Sequence, residues 1–137
     1  MTAPSKQVRE QTYKRDGYRC VSCGAQWPLS WQHRSASGHG GRGKKAPALT
    51  PADGLTACIP CNGRFESDLQ ELALHNGWKL RRHILMTADQ VPFYDRNLGG
   101  YFLPDTEGRA HAMKAAEAIE LITAAGGYTT KGWRPDA

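Results

Sequence analysis

The chain has 137 residues, a formal net charge of +5, 15 glycines and 8 prolines. This length suits one domain, or one compact module with an appendage, and the glycine and proline content predicts many loops. Apolar runs stay well short of the roughly 18 residues that cross a membrane, and the first residues carry no apolar signal segment, so we expect a soluble cytoplasmic protein.

The positive charge is concentrated in the first part of the chain. Residues 1–84 contain 13 Lys and Arg against 6 Asp and Glu, whereas residues 85–137 contain 5 against 7. A basic segment of this kind is typical of a surface that faces a polyanion, most simply nucleic acid. The alternative is a solvated basic surface that serves only solubility.

A short basic helix is predicted over residues 5–16. Ser5 is placed to cap its first turn, and Asp16 precedes a glycine that ends it. Val8 and Tyr13 are expected to face inward. The helix leads directly into the first of two cysteine pairs.

The four cysteines form two pairs, Cys20 with Cys23 and Cys58 with Cys61, each with the spacing Cys-x-x-Cys. In an intracellular chain this spacing favours thiolate metal ligands over disulfides. Four thiolates make a closed tetrahedral site, so we predict a structural zinc ion, and Gly24 permits the tight turn after the first pair. Ordinary buried cysteines and a redox-active pair are the alternatives, and neither explains two such pairs.

The segment between the pairs is predicted to be a β-hairpin with a long basic loop. Residues 29–34 alternate apolar and polar side chains, as in a half-buried strand, and residues 55–58 form the return strand. Residues 35–51 are rich in Gly, Ser, Lys, Arg and Pro and lack periodicity. On the first strand His33 faces the same side as Trp31. A lone histidine on a strand is more often structural than catalytic. The position of His33 between two cysteine pairs nevertheless makes it a candidate catalytic residue.

After the second pair, a helix is predicted over residues 60–76, from a proline in its first turn to an Asn-Gly ending. The next stretch, residues 78–84, is predicted to be a strand with Trp78 and Leu80 facing the core.

The last part of the chain is predicted to be a small extension. Residues 91–94 and 101–103 are expected to form a second hairpin, and the alanine-rich stretch 110–125 a helix that two glycines end. The predicted fold class is therefore α+β. We divide the chain into a module of residues 1–84 and an extension of residues 85–137 that packs on it.

An ordered series of motifs runs through the cysteine region: Arg15-Asp16-Gly17-Tyr-Arg-Cys20-Val-Ser-Cys23-Gly24, Gln32-His33-Arg34, Gly40-Gly41, Gly54-Leu55 and Cys58-Ile-Pro-Cys61-Asn62. Together they resemble the HNH endonuclease family, in the zinc-clipped version common in bacteriophages. The resemblance covers roughly residues 13–78, about half of the chain. It implies a ββα-metal fold (the His-Me finger), in which a hairpin and a helix hold one divalent cation against DNA.

The resemblance also implies roles for individual residues. His33 matches the general base, and a neutral imidazole suits that task at physiological pH. Asn62 matches a ligand of the catalytic cation, and Glu66 stands four residues further on, where many members have another ligand. Gln32 stands where the family usually has a charged or histidine ligand, and Gly54 replaces the middle asparagine of the motif. A carboxylate at residue 66 favours Mg²⁺ or Mn²⁺.

Four basic residues, Arg34, Arg42, Lys44 and Lys45, are predicted to contact DNA phosphates without reading sequence. The sequence-based function is a metal-dependent HNH endonuclease that nicks or cuts duplex DNA. Because the cation would have only one charged protein ligand, a weak or inactive zinc module that binds nucleic acid is the alternative. A third hypothesis is a protein–protein adaptor that uses the same four-cysteine zinc site.

Overall fold

The computed structural model describes residues 3–35, 48–81 and 86–127. In chain order the elements are α1 (Lys6–Arg15), β1 (Leu29–His33), β2 (Gly54–Cys58), α2 (Ile59–Arg64), α3 (Gln70–His75), β3 (Phe93–Asp95), β4 (Gly100–Pro104), β5 (Ala110–Met113) and α4 (Ala115–Ala124). Short 3₁₀ turns, Pro51–Asp53 and Ala88–Gln90, precede β2 and β3. Strands β1 and β2 form one antiparallel sheet, and β3, β4 and β5 form a second. The predicted mixed α+β class is confirmed.

Helix α1 begins and ends where the sequence predicts. The Ser5 side chain accepts a hydrogen bond from the backbone N–H of Val8 at 3.1 Å, which satisfies one donor of the first turn. Gly17 follows the helix with a φ of 73°, a left-handed conformation that favours glycine. Val8 and Tyr13, the predicted inward-facing residues, are half-buried, and the buried side chain of this helix is Thr12.

A buried ion pair at the end of α1 fastens the helix to the first sheet. Arg15 and Asp16 are 2.8 Å apart and almost fully shielded from solvent. Arg15 also donates to the carbonyls of Pro51 and Gly54 at 2.9 Å each. Asp16 accepts from the backbone N–H of Thr56 at 2.8 Å. Charge-assisted hydrogen bonds of this kind are strong when buried, so the Arg-Asp motif positions strand β2.

Strands β1 and β2 form the predicted hairpin. The register pairs Leu29 with Cys58 at one end and His33 with Gly54 at the other. Trp31 lies on the same face as His33, as the alternation of side chains requires, and its Nε1 donates to a threonine hydroxyl of α1 at 2.9 Å. Because β1 has four steps between its ends, His33 lies roughly 13 Å along the hairpin from the second cysteine pair.

The single helix predicted over residues 60–76 is two short helices, α2 and α3. Helix α2 is followed by its C-cap Phe65, whose fully buried ring stacks on Trp78 with centroids 5.4 Å apart. The Ser67 hydroxyl donates to carbonyls at the end of α2. Bonding between a serine side chain and the backbone competes with helix continuation, which accounts for the break.

Of the strand predicted over residues 78–84, the structure describes residues 78–81. Trp78 and Leu80 are buried as predicted, at 0% and 3% exposure. Within residues 78–81, the β contact is an isolated parallel bridge between Leu80 and Ser35. Residues 82–85 lie outside the described residues.

The C-terminal part differs from its prediction by one strand. The hairpin expected from residues 91–94 and 101–103 is present as β3 and β4. The start of the helix predicted over residues 110–125 is instead strand β5, so that part of the prediction is wrong. Gly108, with a φ of 93°, turns the chain back so that β5 pairs along β4. Strand pairing outweighs the helix propensity of alanine because that propensity is a weak preference.

Two clusters of buried apolar side chains hold the elements together. The first comprises Cys20, Val21, Leu55, Ala57, Cys58, Cys61, Phe65, Ala73, Trp78 and Phe93. The second comprises Ala52, Leu80, Ala88, Val91, Tyr101, Ala118, Ile122 and Ala125. Residues before and after the predicted boundary at residue 84 contribute to both clusters, while the boundary itself stays a prediction.

Candidate metal centre and hairpin histidine

The four cysteines come together at the end of the hairpin remote from His33. Their Sγ atoms all lie within 4.8 Å of one another, and those of Cys23 and Cys58 are 3.7 Å apart. All four are free thiols. A tetrahedral centre with metal–sulfur distances of about 2.3 Å places its sulfurs roughly 3.8 Å apart, so these thiols fit one metal ion. Within the described ranges they are the one group of His, Cys, Asp or Glu side chains close enough to do so.

A tight backbone turn shapes the first cysteine pair. The backbone N–H of Gly24 donates to the carbonyl of Cys20 at 2.9 Å, and the N–H of Cys20 donates to the carbonyl of Ala25 at 2.8 Å. Gly24 has a φ of 82°, a conformation that glycine adopts without strain. The turn therefore folds Cys20 and Cys23 towards a common point, as their spacing predicts.

The junction of β2 and α2 shapes the second pair. Cys58 is the last residue of β2 and caps α2, since its Sγ accepts from the backbone N–H of Cys61 at 3.4 Å. Pro60 lies in the first turn of the helix, where its missing N–H costs nothing. The strand end and the helix start thus place both thiols beside the first pair.

The electrostatics of the cluster favour a bound cation. Burial raises the pKa of the Cys20 thiol, and burial together with the neighbouring Cys58 thiol raises the pKa of Cys61. Burial also acts to raise the pKa of Cys23, but hydrogen bonds from the Ala25 backbone and the other thiols outweigh it and lower that pKa. Several thiolates so close together repel each other unless a cation compensates their charge. Sulfur donors of this kind select soft metal ions.

His33 ends strand β1 with its side chain half-buried. Its ring meets the Trp31 ring edge-on, with centroids 4.8 Å apart and an interplanar angle of 90°. A Cβ on the opposite residue, Gly54, would lie 2.1 Å from atoms of the Trp31 ring. The packing of Trp31 therefore leaves no room at residue 54 for the middle asparagine of the HNH motif.

Two of the predicted cation ligands, Gln32 and Asn62, make hydrogen bonds within the protein. Gln32 is 2% exposed, and its Nε2 donates to the carbonyl of His33 at 2.9 Å. Asn62 Nδ2 donates to Ser30 Oγ at 3.0 Å. The second bond fastens α2 to strand β1, so the helix and the hairpin form one unit.

The third predicted cation ligand, Glu66, is paired with a lysine. It lies in the turn after α2, with 61% of its side chain exposed, and forms an ion pair with the ammonium group of Lys79. The Lys79 side chain is only 10% exposed, so its ammonium group lies largely inside the protein. An internal lysine thus neutralises the carboxylate predicted to bind a divalent cation.

The predicted role of Arg34 as a phosphate contact is wrong, because its side chain is fully buried. The guanidinium donates at distances of 2.7 to 3.3 Å to five backbone carbonyls, those of Ala52, Gly77, Ala88, Val91 and Pro92. Burial, with a smaller contribution from the charge of Arg15, lowers the pKa of Arg34 to about 9. The group therefore stays charged at neutral pH, and its hydrogen bonds hold backbone segments together inside the protein.

The other predicted phosphate contacts, Arg42, Lys44 and Lys45, lie outside the described residues, as does the Gly40-Gly41 motif. Their contribution to a DNA-binding surface stays a prediction.

No family model, no curated protein and no solved structure matches this chain. The geometry of its own residues is therefore what bears on its function. In the described ranges, none of the helices has both the length and the apolar character that crossing a bilayer requires.

Three residues beside the cysteines are missing from the sequence-based site. Arg64, Arg96 and Asn97 line a cleft of about 580 Å³ that also contains Cys23 and Cys61. Arg64 stands three residues after Cys61, about one helical turn, and that spacing could have indicated it. Arg96 and Asn97 belong to the β3–β4 turn, and no local pattern brings this turn to the cysteines.

Proposed function

We propose that this protein is a metal-dependent HNH endonuclease that hydrolyses phosphodiester bonds in DNA. One observation carries the proposal: the cysteine cluster and the Asn62–Ser30 hydrogen bond fasten a hairpin that ends in His33 to the helix that follows it. A hairpin and a helix fixed to each other are the parts from which a ββα-metal nuclease builds its site. In this proposal the metal held by the four cysteines is a structural zinc ion, because a closed four-thiolate site has no open position for water.

His33 is the general base of the proposed reaction. Its imidazole accepts a proton from a water molecule, whose oxygen attacks the phosphorus in line with the leaving 3′ oxygen. The bond from phosphorus to that oxygen breaks and the oxygen takes up a proton from water, so the products carry 5′-phosphate and 3′-hydroxyl ends. The imidazole packs at a right angle against the Trp31 ring, with centroids 4.8 Å apart.

Gln32, Asn62 and Glu66 are the proposed ligands of a catalytic Mg²⁺ or Mn²⁺. When bound, such a cation stabilises negative charge on the phosphate and on the leaving oxygen. Glu66 is the one charged ligand, and its pairing with Lys79 competes with the cation. Hard cations favour charged oxygen ligands, so we expect weak cation binding.

Duplex DNA is the proposed substrate, as the resemblance to the HNH family implies, and the excess of Lys and Arg over Asp and Glu in residues 1–84, 13 against 6, supports a polyanionic partner. Contacts between basic side chains and DNA phosphates release counterions, so binding of the protein to DNA should weaken steeply as salt is added.

The proposal is tested by His33→Ala. A general base typically contributes about 100- to 10,000-fold, so the variant should convert supercoiled plasmid to nicked or linear forms far more slowly in Mg²⁺ or Mn²⁺. Its zinc content and unfolding transition should match the wild type, and EDTA should stop the wild-type reaction. His111→Ala, at an exposed histidine of β5, is the matched control and should cleave normally. Wild-type cleavage by His33→Ala at saturating cation would show that another group is the base.

A second candidate is a zinc module that binds nucleic acid without hydrolysing it. Two contacts favour it, because they give two of the proposed cation ligands a partner within the protein. Gln32 donates to the His33 carbonyl, and Glu66 pairs with Lys79. The plasmid assay separates the two, since salt-sensitive DNA binding without nicking under any divalent ion decides for the second. A protein with no salt-sensitive DNA binding would instead fit a protein–protein adaptor.

A further inference from the structure

The exposed side of the cysteine cluster faces a cleft that contains two arginines. Cys23 is the exposed member of the cluster, and the other three cysteines are buried. Cys23 and Cys61 line the cleft together with Arg64, at the end of α2, and Arg96, in the β3–β4 turn. Both arginines are exposed residues. Two positive side chains from distant elements therefore share one cleft with two thiols.

The β3–β4 turn is also fastened directly to the first cysteine pair. Asn97 Nδ2 donates to the carbonyl of Cys20 at 3.0 Å, across a separation of 77 residues in the chain. The backbone N–H of Arg96 donates to the carbonyl of Val21, also at 3.0 Å. A Cβ on Gly24 would lie 2.8 Å from Asn97 Oδ1, so the turn and the pair are closely packed.

A four-thiolate metal centre carries negative charge, and positive side chains beside it stabilise that charge. Four thiolates around one divalent cation leave a net double negative charge, which nearby positive groups stabilise. Arg64 shares its charge with Asp68, which it contacts at 2.8 Å. Among the ion pairs of the described residues none involves Arg96, so its charge is available to the cysteines.

We propose that Arg96 and Asn97 are supporting residues of the metal centre and that Arg64 assists them. Asn97 holds the backbone of the first cysteine pair, and Arg96 offsets the negative charge on the exposed side of the cluster. The C-terminal sheet is then a part of the metal-binding unit. This proposal rests on the four-cysteine metal centre and is independent of DNA cleavage.

The test is the rate at which the full-length, zinc-loaded protein transfers zinc to an excess of a coloured chelator. Loss of an outer supporting group typically weakens metal binding about 10- to 100-fold, so Arg96→Gln and Asn97→Ala should each release zinc about tenfold faster than the wild type. Arg96→Lys keeps the positive charge and should stay close to the wild-type rate. Arg109→Gln removes another exposed arginine of the same sheet and should also match the wild type.

Salt provides a second readout that general destabilisation would not move. Interactions between exposed charges are screened, so added salt should shrink the effect of Arg96→Gln and leave that of Asn97→Ala unchanged. Wild-type release rates in both variants, or equal acceleration by Arg109→Gln, would overturn the proposal. If the wild-type protein retains no zinc, the proposed metal centre is wrong and this proposal fails with it. Zinc retention without DNA cleavage would overturn the proposed function alone.

Discussion

At the scale of single residues, Arg34 shows how burial changes the role of a charged side chain. It directly follows the candidate base, and a basic residue there is expected to face the DNA. Its guanidinium instead binds carbonyls from segments up to 58 residues away. A buried charge is costly to remove from water, and hydrogen bonds to many acceptors offset that cost. Arg34 therefore joins β1 to residues 86–92.

Arg34→Met should destabilise the protein by about 3–5 kcal/mol, because it leaves several buried carbonyls without a donor. Urea unfolding measures this as a lower midpoint at an unchanged slope. Arg109→Met, at a side chain that is 74% exposed, is the control and should change stability by less than about 0.5 kcal/mol. If the two variants unfold at the same midpoint, the buried guanidinium contributes no net stability.

At the scale of elements, the β4–β5 turn decides where strand ends and helix begins. The Asp105 carboxylate accepts from the backbone N–H groups of Arg109 and Glu107 and from the His111 imidazole, each at 2.9 Å. The Arg109 N–H, followed by the His111 contact, lowers the pKa of Asp105 to about 2. The closed turn lays Ala110–Met113 alongside β4, and helix α4 can begin only after that strand.

Asp105→Ala should destabilise the protein by about 1 kcal/mol near neutral pH, the net worth of the hydrogen bonds lost. Because the folded-state pKa lies below the ordinary value, the carboxylate stabilises fully above about pH 4 and loses its effect as the pH falls through about 2. The difference between wild type and variant should therefore shrink on acidification in denaturant titrations. Glu120→Ala, at an exposed carboxylate of α4, should show no such trend. A difference that stays constant with pH would rule out the carboxylate charge as its source.

At the scale of the whole molecule, the four-cysteine cluster and the apolar core are one unit. Cys20, Cys58 and Cys61 belong to the same buried cluster as Trp78 and Phe93. Structural zinc contributes about 10 kcal/mol or more of apparent folding free energy in small domains. Because that equals the entire stability of a typical domain, the fold should depend on the metal.

Metal removal by a strong chelator under reducing conditions should abolish the cooperative thermal transition measured by circular dichroism. Cys58→Ser should act in the same way, since a hydroxyl is a poor replacement for a soft thiolate ligand. Restoring zinc in excess should return the transition in the wild type but not in the variant. A metal-free chain that melts like the loaded protein would show that the centre is dispensable for folding.

Features that depend on near neighbours were predictable from the order of amino acids alone. The Ser5 cap, the glycine turns at Gly17 and Gly24, and the strand alternation that puts His33 beside Trp31 are local interactions. The meeting of the two cysteine pairs was predicted from the four thiolate ligands that one zinc ion takes, and the turn within each pair is again local. Backbone conformation within a few residues controls these local features, so a linear pattern is sufficient for them.

The partners of the charged and polar side chains became known only from the folded molecule. It placed Arg34 in the core, paired Glu66 with Lys79, and brought Arg96 and Asn97 to the cysteines. It also turned residues 110–113 from a predicted helix into a strand. Burial and partner choice depend on which distant segments come into contact, and no local pattern contains that information.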